Sequence, residues 1–146
     1  MDSRCSPINL RSSKLRQYRK VLTALFVTCL LGATVHADTS YPDISKSDLQ
    51  AAMKSKKVVL LDCNGSESYK SGHIPGAIDY QANSDNIGRL LPKDKTALVV
   101  AYCGGPQCHA YIKGAKSISA MGYRNVKHFT PGISGWTAAK LPVEKG

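Results

Sequence analysis

Val99-Val100-Ala101-Tyr102-Cys103-Gly104-Gly105-Pro106-Gln107-Cys108-His109 is the stretch around which the chain is organised. The apolar, β-prone run 97–102 ends on a cysteine, and a Gly-Gly-Pro loop follows. Residues 109–121 then read as a helix, with Gly122 in the position that closes one. The unit is strand, loop and helix, with a thiol at the strand's end. Backbone N–H groups of a tight loop and of a helix's first turn make a nest that favours negative charge. Such a nest lowers a thiol pKa and holds an anionic substrate. Adjacent glycines let the backbone come close without a Cβ clash. An isolated Cys-Gly-Gly also fits a buried strand-end cysteine before an ordinary turn, so the surrounding sequence decides.

The 146 residues suffice for one domain, and the formal net charge of +10 is unevenly placed. Arg4, Arg11, Lys14, Arg16, Arg19 and Lys20 precede residue 21, against a single acid, Asp2. The apolar run 21–35 follows, broken only by Thr23, Thr28, Gly32 and Thr34, and the stretch closes on Val35-His36-Ala37. A basic segment, a short apolar segment and a small-x-small site read as a secretory signal peptide over residues 1–37, cut after Ala37. The apolar run is short for a membrane span, which needs roughly 20 residues. The expected product is exported, periplasmic in a Gram-negative bacterium and otherwise secreted, with membrane attachment only if the segment stays uncleaved.

The domain is then 38–146, and its net charge of +5 is the whole-chain +10 less the +5 of the leader. That modest positive field suits anionic small molecules. Its lysines are scattered, with no run longer than Lys56-Lys57, so a nucleic-acid-binding patch is not expected. Cys5 and Cys29 leave with the signal, while Cys63, Cys103 and Cys108 stay. An odd count in an exported protein means that at least one thiol is free or pairs only transiently.

Ser45-Lys46-Ser47-Asp48 reads as an N-cap with an acidic N3 residue, opening a helix through Leu49, Ala52 and Met53. Val58-Val59-Leu60-Leu61, ending at Asp62, has the length and apolarity of a buried parallel strand. Short helices are expected at 66–70 and 85–91, a short strand at Ala77-Ile78, a strand over 125–129 and a final helix over 134–139 carrying Trp136. Alternating strands and helices imply an α/β domain, with a central, mostly parallel sheet flanked by helices on both faces. Ligands of such sheets sit at the carboxyl ends of strands, where Asp62, Cys63 and Cys103 fall.

At this point the residues resemble the rhodanese-like family of sulfurtransferase domains over about 43–145. The resemblance rests on Val58-Val59-Leu60-Leu61-Asp62, on Gly72-His73-Ile74-Pro75-Gly76-Ala77, and on the strand ending at Cys103. It continues in Gly122-Tyr123-Arg124-Asn125-Val126, Gly132-Ile133-Ser134-Gly135-Trp136 and Leu141-Pro142-Val143-Glu144. Each is weak alone, and their order and spacing carry the signal. There are departures. The family's Asp-x-Arg is Asp62-Cys63-Asn64 here, and its loop, often ending in Arg, ends in Cys108. Loss of a loop cation weakens thiosulfate binding and argues against a phosphatase, which wants an Arg clamp.

The resemblance implies that the Cys103 thiolate attacks the outer sulfur of a donor such as thiosulfate. A persulfide forms, sulfite leaves, and a thiol or cyanide-like acceptor takes the sulfur. No metal or other cofactor is required. Gly104, Gly105, Pro106, Gln107, Cys108 and His109 would form the anion cradle. Cys108 is a small residue at a helix start, a relay for sulfur from Cys103, or its partner under oxidation. Asp62-Cys63 resembles the related cell-cycle phosphatases of rhodanese fold, which implies Cys63 as a resolving thiol; an inert buried cysteine is the alternative. Asp62 is expected to orient or cap, with Asn64 or a backbone amide replacing the missing arginine. His73 is expected to shape the turn before Pro75, and His109 either donates to an anion or faces solvent. A zinc site from Cys103, Cys108 and His109 fits no standard spacing. Three function classes follow: a sulfurtransferase using a Cys103 persulfide, a thiol–disulfide redox protein, and a non-catalytic sulfur-carrying module. The expected partners are a small anionic sulfur donor, a nucleophilic acceptor, and a redox or sulfur-carrier protein.

Overall fold

The computed structural model describes residues 40–146, and the expected signal segment lies outside the described residues. Strands β1 (Val58–Asp62) and β3 (Leu98–Tyr102) form the middle of the sheet, because their runs of Val, Leu and Ala bury both faces. The outer strands are β2 (Ile78–Asp79) and β4 (Val126–His128), giving the order β2-β1-β3-β4 with every pairing parallel. The register sets Asp62 beside Tyr102 and Ala101 beside His128. The segment before the first helix adds to the β4 edge, with Ile44 N–H donating to His128 O and His128 N–H to Pro42 O.

Helices cover both faces. Alternate residues of β3 divide between them, since successive side chains point to opposite sides. Val99, Ala101 and Cys103 face a core with Leu61, Cys63, Tyr80, Ile87, Ala115 and Ile118. Val100 and Tyr102 face the other core, with Leu49, Leu60, Ile74, Phe129 and Trp136. The first face is closed by α3 (Tyr80–Asn83) and α4 (Tyr111–Ala120). The second is closed by α1 (Lys46–Lys54), α2 (Ser66–Ser71) and α5 (Gly132–Ala138). Each fully buried Leu, Ile, Val or Phe contributes about 1.5–3 kcal/mol relative to exposure.

Ser45 caps α1 as its sequence indicates, accepting from Asp48 N–H at 3.1 Å. Two elements differ from expectation. The helix expected over 85–91 is a single 3-10 turn, Ile87–Arg89, and the helix proper lies earlier, as α3. Asp79 is the reason: its side chain accepts from Ala82 N–H at 3.1 Å and starts a helix directly at the end of β2. The helix expected from His109 begins at Tyr111, because Cys108 N–H is committed to a turn with Gly105 O at 2.9 Å. Among the described residues, no helix is long and apolar enough to cross a membrane.

Candidate active site

The carboxyl ends of β1 and β3 lie side by side, and Cys63 N–H donates to Tyr102 O at 2.9 Å. This brings Asp62, Cys63, Asn64, Tyr102 and Cys103 to one end of the sheet. The side chains then separate by face. Asp62 and Tyr102 turn to one side and Cys63 and Cys103 to the other.

Cys103 is fully buried, and its sulfur is bonded to that of Cys108, with Cα atoms 6.2 Å apart. Among the described residues, Cys63 is the free thiol. The structure therefore pairs Cys103 with Cys108 and not with Cys63, the partner that the cell-cycle phosphatase resemblance implies. The reason is packing. Cys63 Sγ lies against α4, where a Cβ added at Gly114 would stand 2.7 Å from it. Burial first, and the Asp62 charge second, push the Cys63 thiol up to about 12.

The loop from Gly104 to His109 is tied down from outside. The first amides of α5 donate into it, Ile133 N–H to Cys103 O at 2.9 Å and Ser134 N–H to Gly104 O at 3.0 Å. Such an approach requires Gly132. Its φ is +57°, and a Cβ there would lie 2.7 Å from Gly105 N and 2.8 Å from Gly104 C. Among the described residues, the amides of Gly104, Gly105, Gln107 and His109 donate to no protein acceptor. The N-terminus of α4 has no side-chain cap; Ile112 N–H donates to His109 O at 3.1 Å and Lys113 N–H to Ala110 O at 3.3 Å, which leaves Tyr111 N–H to add to the loop's positive potential. Pro106, Gln107 and His109 are exposed; Gly104, Gly105 and Cys108 are half-buried.

Asp62 is buried, yet the ion pairs among the described residues, Lys70–Glu67 and His73–Glu144, leave it out. Its Oδ2 accepts from the Tyr102 hydroxyl at 2.7 Å. Its Oδ1 accepts from Asn64 N–H at 2.8 Å and from Asn64 Nδ2 at 3.0 Å. Asn64 thus stands in for the missing arginine with two neutral N–H donors, one from its backbone and one from its side chain. Asn64 Oδ1 also stands 3.5 Å from where a Cβ on Gly104 would be, which links the carboxylate to the start of the loop. From the sequence alone Tyr102 reads only as a strand position. Its hydroxyl also accepts from Ile74 N–H at 3.0 Å, so it bridges Asp62 to the turn before Pro75. Burial, then the Asp62 charge, raise its pKa.

Two openings flank the loop. One, of about 580 Å³, is lined by Asn64, Gly104, Ile133 and Thr137 among others. The other, of about 270 Å³, holds Cys63, Tyr80, Gln81, Ser84, His109 and Lys113. Lys113 is not singled out by the sequence; it lies on the first turn of α4 and lines this opening with His109. His73 shapes the turn: it is buried, its Nδ1 lies 2.8 Å from Tyr69 O, and its ring stacks on Tyr69. Trp136 is core, its Nε1 donating to Pro142 O at 2.8 Å.

A family model described as Rhodanese-like domain matches residues 45–139. Over 103 residues the chain is 33% identical to the HTH-type transcriptional regulator Rv0324 of Mycobacterium tuberculosis, covering 70% of this chain and 45% of that protein. The chain thus spans less than half the length of this relative. Thiosulfate sulfurtransferase GlpE of Shewanella oneidensis is 26% identical over 104 residues, which cover 69% of this chain and 97% of that protein. Among solved structures, a thiosulfate sulfurtransferase from Pseudomonas aeruginosa superposes with a TM-score of 0.60 at 26% identity, covering 73% of this chain and 20% of that one.

Proposed function

The chain belongs to the rhodanese-like domain family, and from that premise we propose that it is a sulfurtransferase carrying sulfane sulfur as a persulfide on Cys103. The observation that carries this reading is the position of Cys103 at the carboxyl end of β3, opening a loop whose amides are largely unclaimed. Once the Cys103–Cys108 bond is reduced, the Cys103 thiolate attacks the outer sulfur of a thiosulfate-like donor. The donor's S–S bond breaks and sulfite leaves with the electron pair. The loop amides and the start of α4 stabilise the persulfide anion. A thiol or cyanide-like acceptor then takes the outer sulfur and releases the Cys103 thiolate. Lys113 supplies positive charge at the neighbouring opening, which supports an anionic donor.

The relative GlpE is named a thiosulfate sulfurtransferase and is matched along nearly its whole length, which supports the same reaction class here. Export belongs to the proposal as well, supported by the basic and apolar character of residues 1–37. An exported product beginning at Asp38 would agree with it, and a chain retained with its leader would not.

The Cys103–Cys108 bond favours a second reading, that of a thiol–disulfide redox protein. The test is thiosulfate-to-cyanide turnover of the reduced chain. Thiocyanate production that disappears in Cys103→Ser supports the sulfurtransferase, and turnover that survives the substitution overturns it.

A further inference from the structure

Building on the Cys103 persulfide proposed above, we propose that Cys108 resolves it, so that the chain reduces sulfane sulfur to hydrosulfide at the expense of a dithiol. The Cys108 thiolate attacks Sγ of the Cys103 persulfide. A Cys103–Cys108 bond forms, the bond between Sγ and the outer sulfur breaks, and the outer sulfur leaves as hydrosulfide. The persulfide and the Cys108 thiol together give one disulfide and one hydrosulfide, so atoms and charge balance. The outer sulfur is reduced by two electrons, and the cysteine pair is oxidised by two. A small dithiol or a protein dithiol then reduces the pair and becomes a disulfide itself.

Four observations carry this. The structure joins Cys108 to the same sulfur that would bear the persulfide, and the 6.2 Å Cα separation lies within the disulfide range. Cys103 is fully buried in the disulfide-bonded structure, and Cys108 is the thiol that reaches its sulfur there. Cys108 is half-buried and is the more accessible of the two sulfurs to an incoming dithiol. Attack there expels Cys103 as a thiolate into a loop of unclaimed amides, a good leaving group in a site built for negative charge. The third thiol does not interfere: Cys63 packs against Gly114, and its elevated pKa keeps it protonated at neutral pH. The result is a closed two-thiol device, which also holds the nucleophile locked whenever the dithiol is missing.

A relay, in which Cys108 takes the outer sulfur, is the competing course, and it leaves the added sulfur on the protein. The experiment is a single turnover of the full chain carrying Cys5→Ser and Cys29→Ser. The protein is fully reduced, freed of reductant without air, and given one equivalent of thiosulfate. The expected outcome is sulfite and hydrosulfide in equal amounts, with a protein two hydrogens lighter whose peptides map to a Cys103–Cys108 link. In the same chain with Cys108→Ser, sulfite is released, hydrosulfide is not, and the added sulfur stays on Cys103. If the chain with Cys108 intact releases sulfite but keeps the sulfur, the resolving role is overturned while the persulfide stands. If neither chain releases sulfite, both readings fall. The first arm needs no substitution at Cys108 and holds whether or not that variant folds.

Discussion

Asp62 is a buried carboxylate held by neutral donors alone, and Tyr102 is the one that arrives from another strand. Tyr102→Phe removes that donor and strands Ile74 N–H as well. A cost of about 1–3 kcal/mol is expected from the unsatisfied buried groups, read as a lower urea midpoint. An unchanged midpoint would show that the network carries no stability. Cys63 offers a second check. Its folded pKa is raised from 9.0 to about 12, so the stability it contributes is complete below pH 9 and is lost as pH rises toward 12. Cys63→Ala should flatten the alkaline decline in unfolding free energy, whatever it does to the value at neutral pH. At this scale the sequence was partly legible. The missing arginine after Asp62 was visible, and Asn64 could be named as its substitute. The hydroxyl of Tyr102 was hidden, because its ring reads as one more apolar strand position.

The site depends on two helices pressed against strand ends, and each approach is set by a glycine. Gly132→Ala places a Cβ against the Cys103–Gly105 backbone at a positive φ. The left-handed conformation alone costs about 1–2 kcal/mol, and the clash adds to it. We expect a lower Tm together with loss of persulfide formation, since α5 must withdraw from the loop it anchors; full persulfide formation would show that this docking is dispensable. Gly114→Ala drives a Cβ toward Cys63 Sγ, an overpacking worth about 1–3 kcal/mol. In a Cys63→Ala background that penalty should shrink, and a double-mutant cycle with no coupling would contradict the contact. β1, β3 and α1 were legible because apolar runs and a side-chain cap declare themselves locally. α3 was not, because Asp79 ends a strand and caps a helix at once. Likewise, the apolar spacing of 85–91 reflects two buried side chains, Ile87 and Leu91, rather than a helix.

Across the whole molecule, the parallel sheet and the covering of both its faces by helices follow from alternating strands and helices, and this is the most legible feature; the strand order is not. Which thiols meet was not legible, since it depends on the face to which each strand end turns. Stability at acid pH also belongs to this scale. His128 stacks on Tyr111 at the start of α4, with Thr130 and Asp43 on its other side. Burial lowers its pKa, the Asp43 charge opposes the shift, and the His109 charge reinforces it. The unfolded chain therefore binds the proton more readily, and stability present above about pH 6.5 is lost as pH falls through the lowered value. The urea midpoint should drop between about pH 7.5 and 5.5, and less so in His128→Phe, which keeps a ring on Tyr111. Equal drops in the two proteins would remove His128 from the acid response.

The central claim is the persulfide on Cys103, and its most direct measurement is the intact mass of the reduced Cys108→Ser chain after thiosulfate. The account predicts a gain of one sulfur atom that maps to Cys103, is lost on adding dithiothreitol, and is absent when Cys103→Ser is added. A mass that thiosulfate leaves unchanged, or a sulfur that persists without Cys103, would contradict it.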